Sequence, residues 1–233
     1  MKIIAIIPAR GNSKTIKNKN MLKLNGKPLI YHTIRAAQKS KMLDGYYLSS
    51  DNKNILKYAK DINCPIISRP KNLSKDKTPT IKVLLHADRY LKKKYNINAD
   101  IFVTLQPTSP FRSHYDIDNS LNLFLKKKPD SLVSCVNVPH NFEPFSQYKP
   151  VDKFIVKDFI NSKIKHTRKQ DKIKNLARNG AIYITPKKNL KKYIFGGRTV
   201  YYLMDFYRSL DIDHREDYVV ADKIFKLVKD EII

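Results

Sequence analysis

Aliphatic runs alternating with amphipathic segments predict an α/β protein built on a mostly parallel sheet. Two observations carry this. Residues 3–7 (Ile-Ile-Ala-Ile-Ile) and 101–105 (Ile-Phe-Val-Thr-Leu) are near-continuous apolar runs, the pattern of strands buried on both faces. Each run then breaks into a polar loop marked by proline, the place where open α/β sheets bind ligands.

The elements follow in order. After the first strand, Gly26-Lys27-Pro28 precedes a helix, since proline suits a first turn. Leu29, Ile30, Thr33, Ile34 and Ala37 fall on its one face. Residues 46–49 read as a strand with Asp51 at its carboxyl end, 52–61 as a helix and 65–68 as a third strand. Residues 79–95 are amphipathic through Ile81, Leu84, Leu85, Asp88 and Leu91. The strand over 101–105 is followed by a helix over 115–125 and a strand over 131–136. From Pro139 to about Arg178 regular patterning stops; proline, aromatic and lysine residues surround short extended runs, which predicts a small inserted lobe with β-hairpin character. Strands resume at 180–184 and 201–204. The last helix, after Asp213, has an apolar face of Tyr218, Ala221, Ile224, Phe225 and Val228. The whole reads as one domain over 1–233, with the lobe at 139–178.

Forty-six Lys and Arg against twenty-one Asp and Glu leave a net charge of 46 − 21 = +25. The lysines are scattered over every helix and form no aromatic-interleaved stripe, and no RNP, KH or zinc-finger pattern is present, so nucleic acid is not the expected partner. The charge instead favours an anionic small substrate. No run is long or apolar enough to span a bilayer, and the N-terminal apolar run is too short for a signal peptide; the expectation is a cytoplasmic protein. Cys64 and Cys135 sit far apart in strand-like contexts, which predicts buried free thiols. The histidines form no H-E-x-x-H or comparable cluster.

Two loops carry chemistry on their own residues. Pro8-Ala9-Arg10-Gly11-Asn12-Ser13-Lys14 ends the first strand, and Arg10, Lys14, Lys17 and Lys19 put cations where a polyphosphate would lie. Gly11 is placed to let the backbone approach a ligand closely. The spacing is neither a Walker A loop nor G-x-G-x-x-G. In Asp211-Ile212-Asp213, alternation sets both carboxylates on one side of an extended segment. Hard oxygens of that kind suit Mg²⁺, which takes one or two carboxylates and completes its shell with phosphate oxygens and water. Asp213 with Glu216 also has the spacing of a capping box for the last helix.

The first loop resembles P-A-R-G-G-S-K-G-I-x-x-K-N, the signature of the acylneuraminate cytidylyltransferases, or CMP-sialic acid synthetases. Here Asn12 and Thr15 replace two of its glycines, which asks residues with a Cβ to follow a glycine path. Arg69-Pro70 with Leu73, Asp76 and Thr80 is similar to the family's R-P-x-x-L-x-x-D-x-x-x-[ST]. Residues 105–112, from Leu105 through Gln106-Pro107-Thr108-Ser109 to Arg112, are similar to L-Q-P-T-S-P-L-R. Arg168 with Gln170 resembles R-x-Q, and Arg178-Asn179-Gly180-Ala181-Ile182-Tyr183-Ile184 matches R-N-G-A-I-Y-I. The family also carries D-I-D at the position of Asp211 and Asp213.

The resemblance covers essentially the whole chain. It implies a Rossmann-like nucleotidyltransferase sheet with a dimerisation lobe, hence a homodimer. It implies that CTP and a nine-carbon ulosonic acid give a CMP-sugar and pyrophosphate, with Mg²⁺ as cofactor. In that comparison Arg10, Lys14, Lys19 and Asp211 are catalytic. Ala9, Arg10, Gly11, Asn12, Ser13, Asn20, Arg69 and Thr80 bind the nucleotide. Gln106, Thr108, Ser109, Arg168 and Asn179 face the acid, and Asp211 and Asp213 hold the metal. Legionaminate, pseudaminate and the eight-carbon acid Kdo are alternative acceptors. A basic RNA-binding module is the alternative from outside enzymology.

Overall fold

β1 (Ile3–Pro8) is buried along its apolar length and runs through the middle of the molecule. The computed structural model describes residues 1–160 and 175–228. After β1 come a two-residue hairpin of β2 (Lys23–Leu24) and β3 (Lys27–Pro28), α1 (Leu29–Lys39), β4 (Gly45–Ser50), α2 (Lys53–Asp61), β5 (Ile66–Ser68), α3 (Thr80–Tyr95) and β6 (Ile101–Leu105). Next are α4 (His114–Lys127), β7 (Ser131–Asn137), the hairpin β8 (Tyr148–Pro150) and β9 (Val156–Asp158), β10 (Leu176–Pro186), β11 (Thr199–Leu203) and α5 (Arg215–Leu227).

Seven strands form one sheet in the order β11-β7-β10-β6-β1-β4-β5. β1 pairs in parallel with β4 on one side and with β6 on the other, so the chain changes direction of travel across the sheet at β1. Such a switch point opens a crevice at the carboxyl ends of the strands. β4–β5 and β7–β11 are also parallel. β10 departs from this: it runs antiparallel between β6 and β7, and its eleven residues extend well past the strand expected at 180–184. It turns the register at a bulge between Arg178 and Tyr183, where Gly180 takes φ +77.

Alternation along β1 divides the core. Ile3, Ala5 and Ile7 face α1, α2 and α4, whose Ile34, Ile55 and Leu121 they join. Ile4 and Ile6 face α3 through Leu84, Ala87 and Leu91. A smaller core forms where α5 lays Ala221 and Phe225 on Leu24, Leu29, Phe111 and Ile212. The apolar faces of α1 and α5 are those expected. Cys64 and Cys135 are buried and free, and burial pushes the Cys64 thiol up to about 12.

Helix starts follow local chemistry. Asn52 caps α2, its side chain accepting from the amides of Asn54 and Ile55 at 2.9 and 3.2 Å. Ser113 and Asp116 form a capping box on α4, which begins at His114, one residue before the expected start. The cap expected of Asp213 and Glu216 is displaced. The Asp217 carboxylate accepts from the backbone amides of Asp213 and His214 at 2.9 and 2.7 Å. That leaves both Asp213 carboxylate oxygens for other partners. Among the described residues of the 139–178 lobe, β8 and β9 pair antiparallel and are exposed throughout.

Candidate active site

The loops after β1, β4, β5 and β6 meet at the carboxyl edge of the sheet. Backbone hydrogen bonds tie them: Ala9 N–H to the Ser49 carbonyl at 2.9 Å, and Arg69 N–H to the Ser50 carbonyl at 2.8 Å. The Gly11 amide donates to Asp51 Oδ1 at 3.0 Å, and Asn20 Nδ2 donates to the Arg10 carbonyl at 2.8 Å. The segment bearing the acidic pair is pinned to the β6 loop by the Ile212 amide donating to the Thr108 carbonyl at 2.8 Å.

These ties frame a cleft of about 360 Å³. Arg10, Ser13, Lys19 and Asn20 line it from the first loop. Arg69 and Thr80 line it from beyond β5, Gln106 and Thr108 from the β6 loop, and Asp211 and Asp213 close it. Lys75 adds a cation that sequence reasoning missed, because nothing in a lysine-rich chain marked it out.

Its charges are arranged in pairs. Arg10 and Lys14 both contact Asp76, the latter at 3.2 Å; the hydrogen bond from Lys14 and the two cations hold the Asp76 carboxyl below its ordinary value. Asp76 thereby neutralises cations of the first loop. Lys19 Nζ lies 2.7 Å from Asp213 Oδ1. Arg69 is buried, with Nε and Nη2 lacking hydrogen-bond partners, and its proton affinity is lowered by burial although Asp51 opposes this. A buried guanidinium with free donors suits a multiply charged anion.

Asp211 stands where the cleft meets a second chamber of about 520 Å³. Gln106 and Asp211 line both. Burial raises the Asp211 carboxyl above its ordinary value; a hydrogen bond from Thr108 opposes that, and the charge of Asp213 adds to it. Asp211 Oδ1 is buried without a hydrogen-bond partner. An orphaned hard oxygen beside a second carboxylate fits Mg²⁺, with the rest of its shell coming from phosphate and water. Among the described residues no three His, Cys, Asp or Glu side chains are grouped to hold a metal alone.

The second chamber is lined by Arg178, Asn179, Gly180, Tyr183 and Ser209 as well. Arg178 lies over the Phe195 ring, 4.1 Å from its centroid. Asn179, expected to touch the nucleotide sugar or the acid, spends its groups inside the protein. Its Oδ1 accepts from Ser134 Oγ at 2.5 Å and from the Ala181 amide at 3.2 Å, and its Nδ2 donates to Ser209 Oγ at 2.8 Å. It holds the wall in shape. Gly180 keeps that wall low beside Asp211, whose Oδ2 lies 3.6 Å from where a Cβ would stand.

Other expected contacts are placed differently. Ala9 and Gly11 are buried beneath the cleft and Asn12 is exposed outside its lining. A Cβ on Gly11 would meet Asn52 at 2.8 Å, so this glycine makes room for the α2 cap and not for a ligand. Neither Asn12 nor Thr15 has positive φ; the left-handed residue of the loop is Asn18, at φ 55. Ser109 is fully buried and absent from both walls. Arg168 lies outside the described residues. Arg112, quoted above only as part of a motif, is 1% exposed and donates from Nη1 to the carbonyls of Gln106 and Ala181 at 3.1 and 3.0 Å. It thereby clamps the two loops that bring the chambers together. The proline-flanked loop hid this role, because an arginine there reads equally well as a ligand contact.

Known proteins share this chain's family and fold. The chain is 34% identical over 223 residues to an N-acylneuraminate cytidylyltransferase of Escherichia coli O18:K1:H7 (strain RS218 / NMEC), covering 94% of this chain and 51% of that protein. It spans about half the length of the N-acylneuraminate cytidylyltransferases it matches. It is 28% identical over 232 residues to the post-translational flagellin modification protein B of Campylobacter coli, covering 97% of this chain and 95% of the relative. The solved structure of a CMP:2-keto-3-deoxy-manno-octonic acid synthetase complexed with CTP has the same fold, with a TM-score of 0.70 at 18% identity over 99% of this chain and 100% of that one. The cytidylyltransferase family matches residues 4–230, nearly the full chain, and the protein belongs to that family.

Proposed function

We propose that this chain joins CTP to a nonulosonic acid of the sialic type, giving a CMP-sugar and pyrophosphate. One observation carries the reading: a cationic chamber and a second chamber share a wall made of Gln106 and Asp211. Two substrates that must meet at one phosphorus need that arrangement.

The triphosphate occupies the first chamber. Arg10, Lys14, Lys19 and Arg69 neutralise its oxygens and the leaving pyrophosphate, Arg10 and Lys14 exchanging Asp76 for phosphate. The acid occupies the second, where Arg178 offers a cation to its carboxylate and Gln106 a polar edge. Its anomeric hydroxyl attacks the α-phosphorus; the new O–P bond forms as the α–β bridge breaks and pyrophosphate departs. Asp211 and Asp213 would hold Mg²⁺, which supplies charge stabilisation to the phosphates and favours ionisation of the hydroxyl.

Two further readings accompany this one. The apolar side chains exposed on the lobe, among them Phe142, Tyr148 and Phe154, support a homodimer built through residues 139–178. Two buried, unpaired thiols suit the reducing cytoplasm. As to the acid, legionaminate, pseudaminate and Kdo stand as the alternative readings. An RNA-binding module leaves the acidic pair and the second chamber without a role. Pyrophosphate release with CTP and a panel of acids tests the proposal. Release with N-acetylneuraminate or another nine-carbon acid supports it, and none with any acid refutes it.

A further inference from the structure

A side-chain amide has two N–H donors and two acceptor lone pairs, and Asn179 uses all four inside the protein. Its Oδ1 accepts from Ser134 Oγ of β7 and from the Ala181 amide, and its Nδ2 donates to Ser209 Oγ at 2.8 Å and to Met204 Sδ at 3.3 Å. The two serines are engaged in turn. Ser134 Oγ accepts from the Ile182 amide at 2.8 Å, and Ser209 Oγ donates to the Asp205 carbonyl at 2.8 Å. Asn179, Ser134 and Ser209 are all buried. The Asn179 amide therefore has no group left over for a substrate.

Two branches of this network end beside Asp211. Ser209 closes the short turn Tyr207–Ser209, two residues before Asp211 in the chain. On the other side, the bond from the Ala181 amide to Asn179 Oδ1 closes a turn around Gly180. Gly180 holds φ +77 and stands against Asp211 Oδ2. Beyond Asp211 the chain is pinned separately, by the Ile212 amide on the Thr108 carbonyl. Asp211 Oδ1 has no hydrogen-bond partner, so the backbone and the neighbouring wall do much to fix where it points. We propose that Asn179 is a positioning residue: through Ser209 and Gly180 it sets the Asp211 carboxylate at the junction of the two chambers, and it touches neither substrate. A displacement of about 1 Å at a reacting centre can cost on the order of 100-fold in rate, so a buried amide that fixes this carboxylate matters to the chemistry. The inference rests on the role proposed above for Asp211 and gives that residue its support.

The test compares wild type, Ser209→Ala, Asn179→Ala and the double variant. Mn²⁺ stands in for Mg²⁺, and its binding with CTP present is followed by electron paramagnetic resonance, which needs no acid. Each single variant should weaken Mn²⁺ binding about tenfold, as is usual when a group that orients a metal ligand is lost. The double variant should be no worse than the weaker single one, since both substitutions break the same link. With an acid that is turned over, kcat should fall about tenfold while KM for the acid stays within about twofold. Unchanged Mn²⁺ affinity in both single variants, effects that add in the double variant, or a raised KM for the acid with kcat intact would each overturn the proposal. Should Asn179→Ala fail to fold, Ser209→Ala decides alone, and unchanged Mn²⁺ affinity in it overturns the proposal. If no acid is turned over, the proposed reaction falls while the Mn²⁺ measurement still decides this inference; absence of Mn²⁺ binding by the wild type overturns it.

Discussion

At Asp211, burial and the neighbouring Asp213 both raise the cost of negative charge, and Oδ1 is left without a hydrogen bond. A carboxylate kept in that condition at the junction of two chambers has a use for a cation. Asp211→Asn should cut turnover by on the order of 100-fold. Its melting temperature should hold or rise, since the substitution removes a buried charge; near-wild-type turnover would remove Asp211 from the mechanism. Arg10→Ala and Lys19→Ala should raise KM for CTP more than KM for the acid, as steady-state kinetics with each substrate varied would reveal. At this scale residue type marked side chains that the fold brings to one cleft, as with Arg10, Arg69 and the acidic pair. The sequence was read poorly where direction matters. Ser109 and Asn179 carry polar groups that point inward, and Gly11 serves Asn52; side-chain direction depends on neighbours that lie far along the chain.

Elements were legible through periodicity. Continuous apolar strands and the faces of α1 and α5 are local patterns, and they fold as such. β10 was only half visible, because its first residues, Leu176–Gly180, are polar or exposed and pair with β7 through a bulge. Its direction could not be read, since antiparallel pairing is a property of the sheet. The capping box on α4 was there in Ser113 and Asp116. Asp116 does more than cap: it is fully buried and accepts from Tyr202 and Arg208 at 3.2 and 3.1 Å. Asp116→Ala should therefore cost roughly 3 kcal/mol, well above a simple cap loss, because the buried pair is broken. Chemical denaturation measures this, and a loss near 1 kcal/mol would reduce Asp116 to a cap. In α1, burial holds His32 below its ordinary value of 6.5. The unfolded chain then binds the proton more readily than the folded one. Stability owed to neutral His32 is intact above 6.5 and is lost as pH falls through the folded value. Melting between about pH 7 and pH 5 should fall less steeply in His32→Gln than in the wild type.

Across the whole molecule, topology does what no motif states. The reversal at β1 gathers the loops after β1, β4, β5 and β6 on one edge, and antiparallel β10 brings Arg178–Gly180 to the same edge. Hence motifs more than 100 residues apart become two chambers with one shared wall. The lobe leaves apolar side chains in water, Phe154 at 88% exposure, which predicts a dimer at micromolar concentration; a strictly monomeric mass in an active preparation would contradict that. The most direct measurement is pyrophosphate release with CTP, Mg²⁺ and N-acetylneuraminic, legionaminic or pseudaminic acid or Kdo, comparing wild type with Asp211→Asn. Release with a nine-carbon acid at a higher kcat/KM than with Kdo, lost in Asp211→Asn, is the predicted result. No release with any of the four, or equal release by the variant, would contradict the shared-wall mechanism.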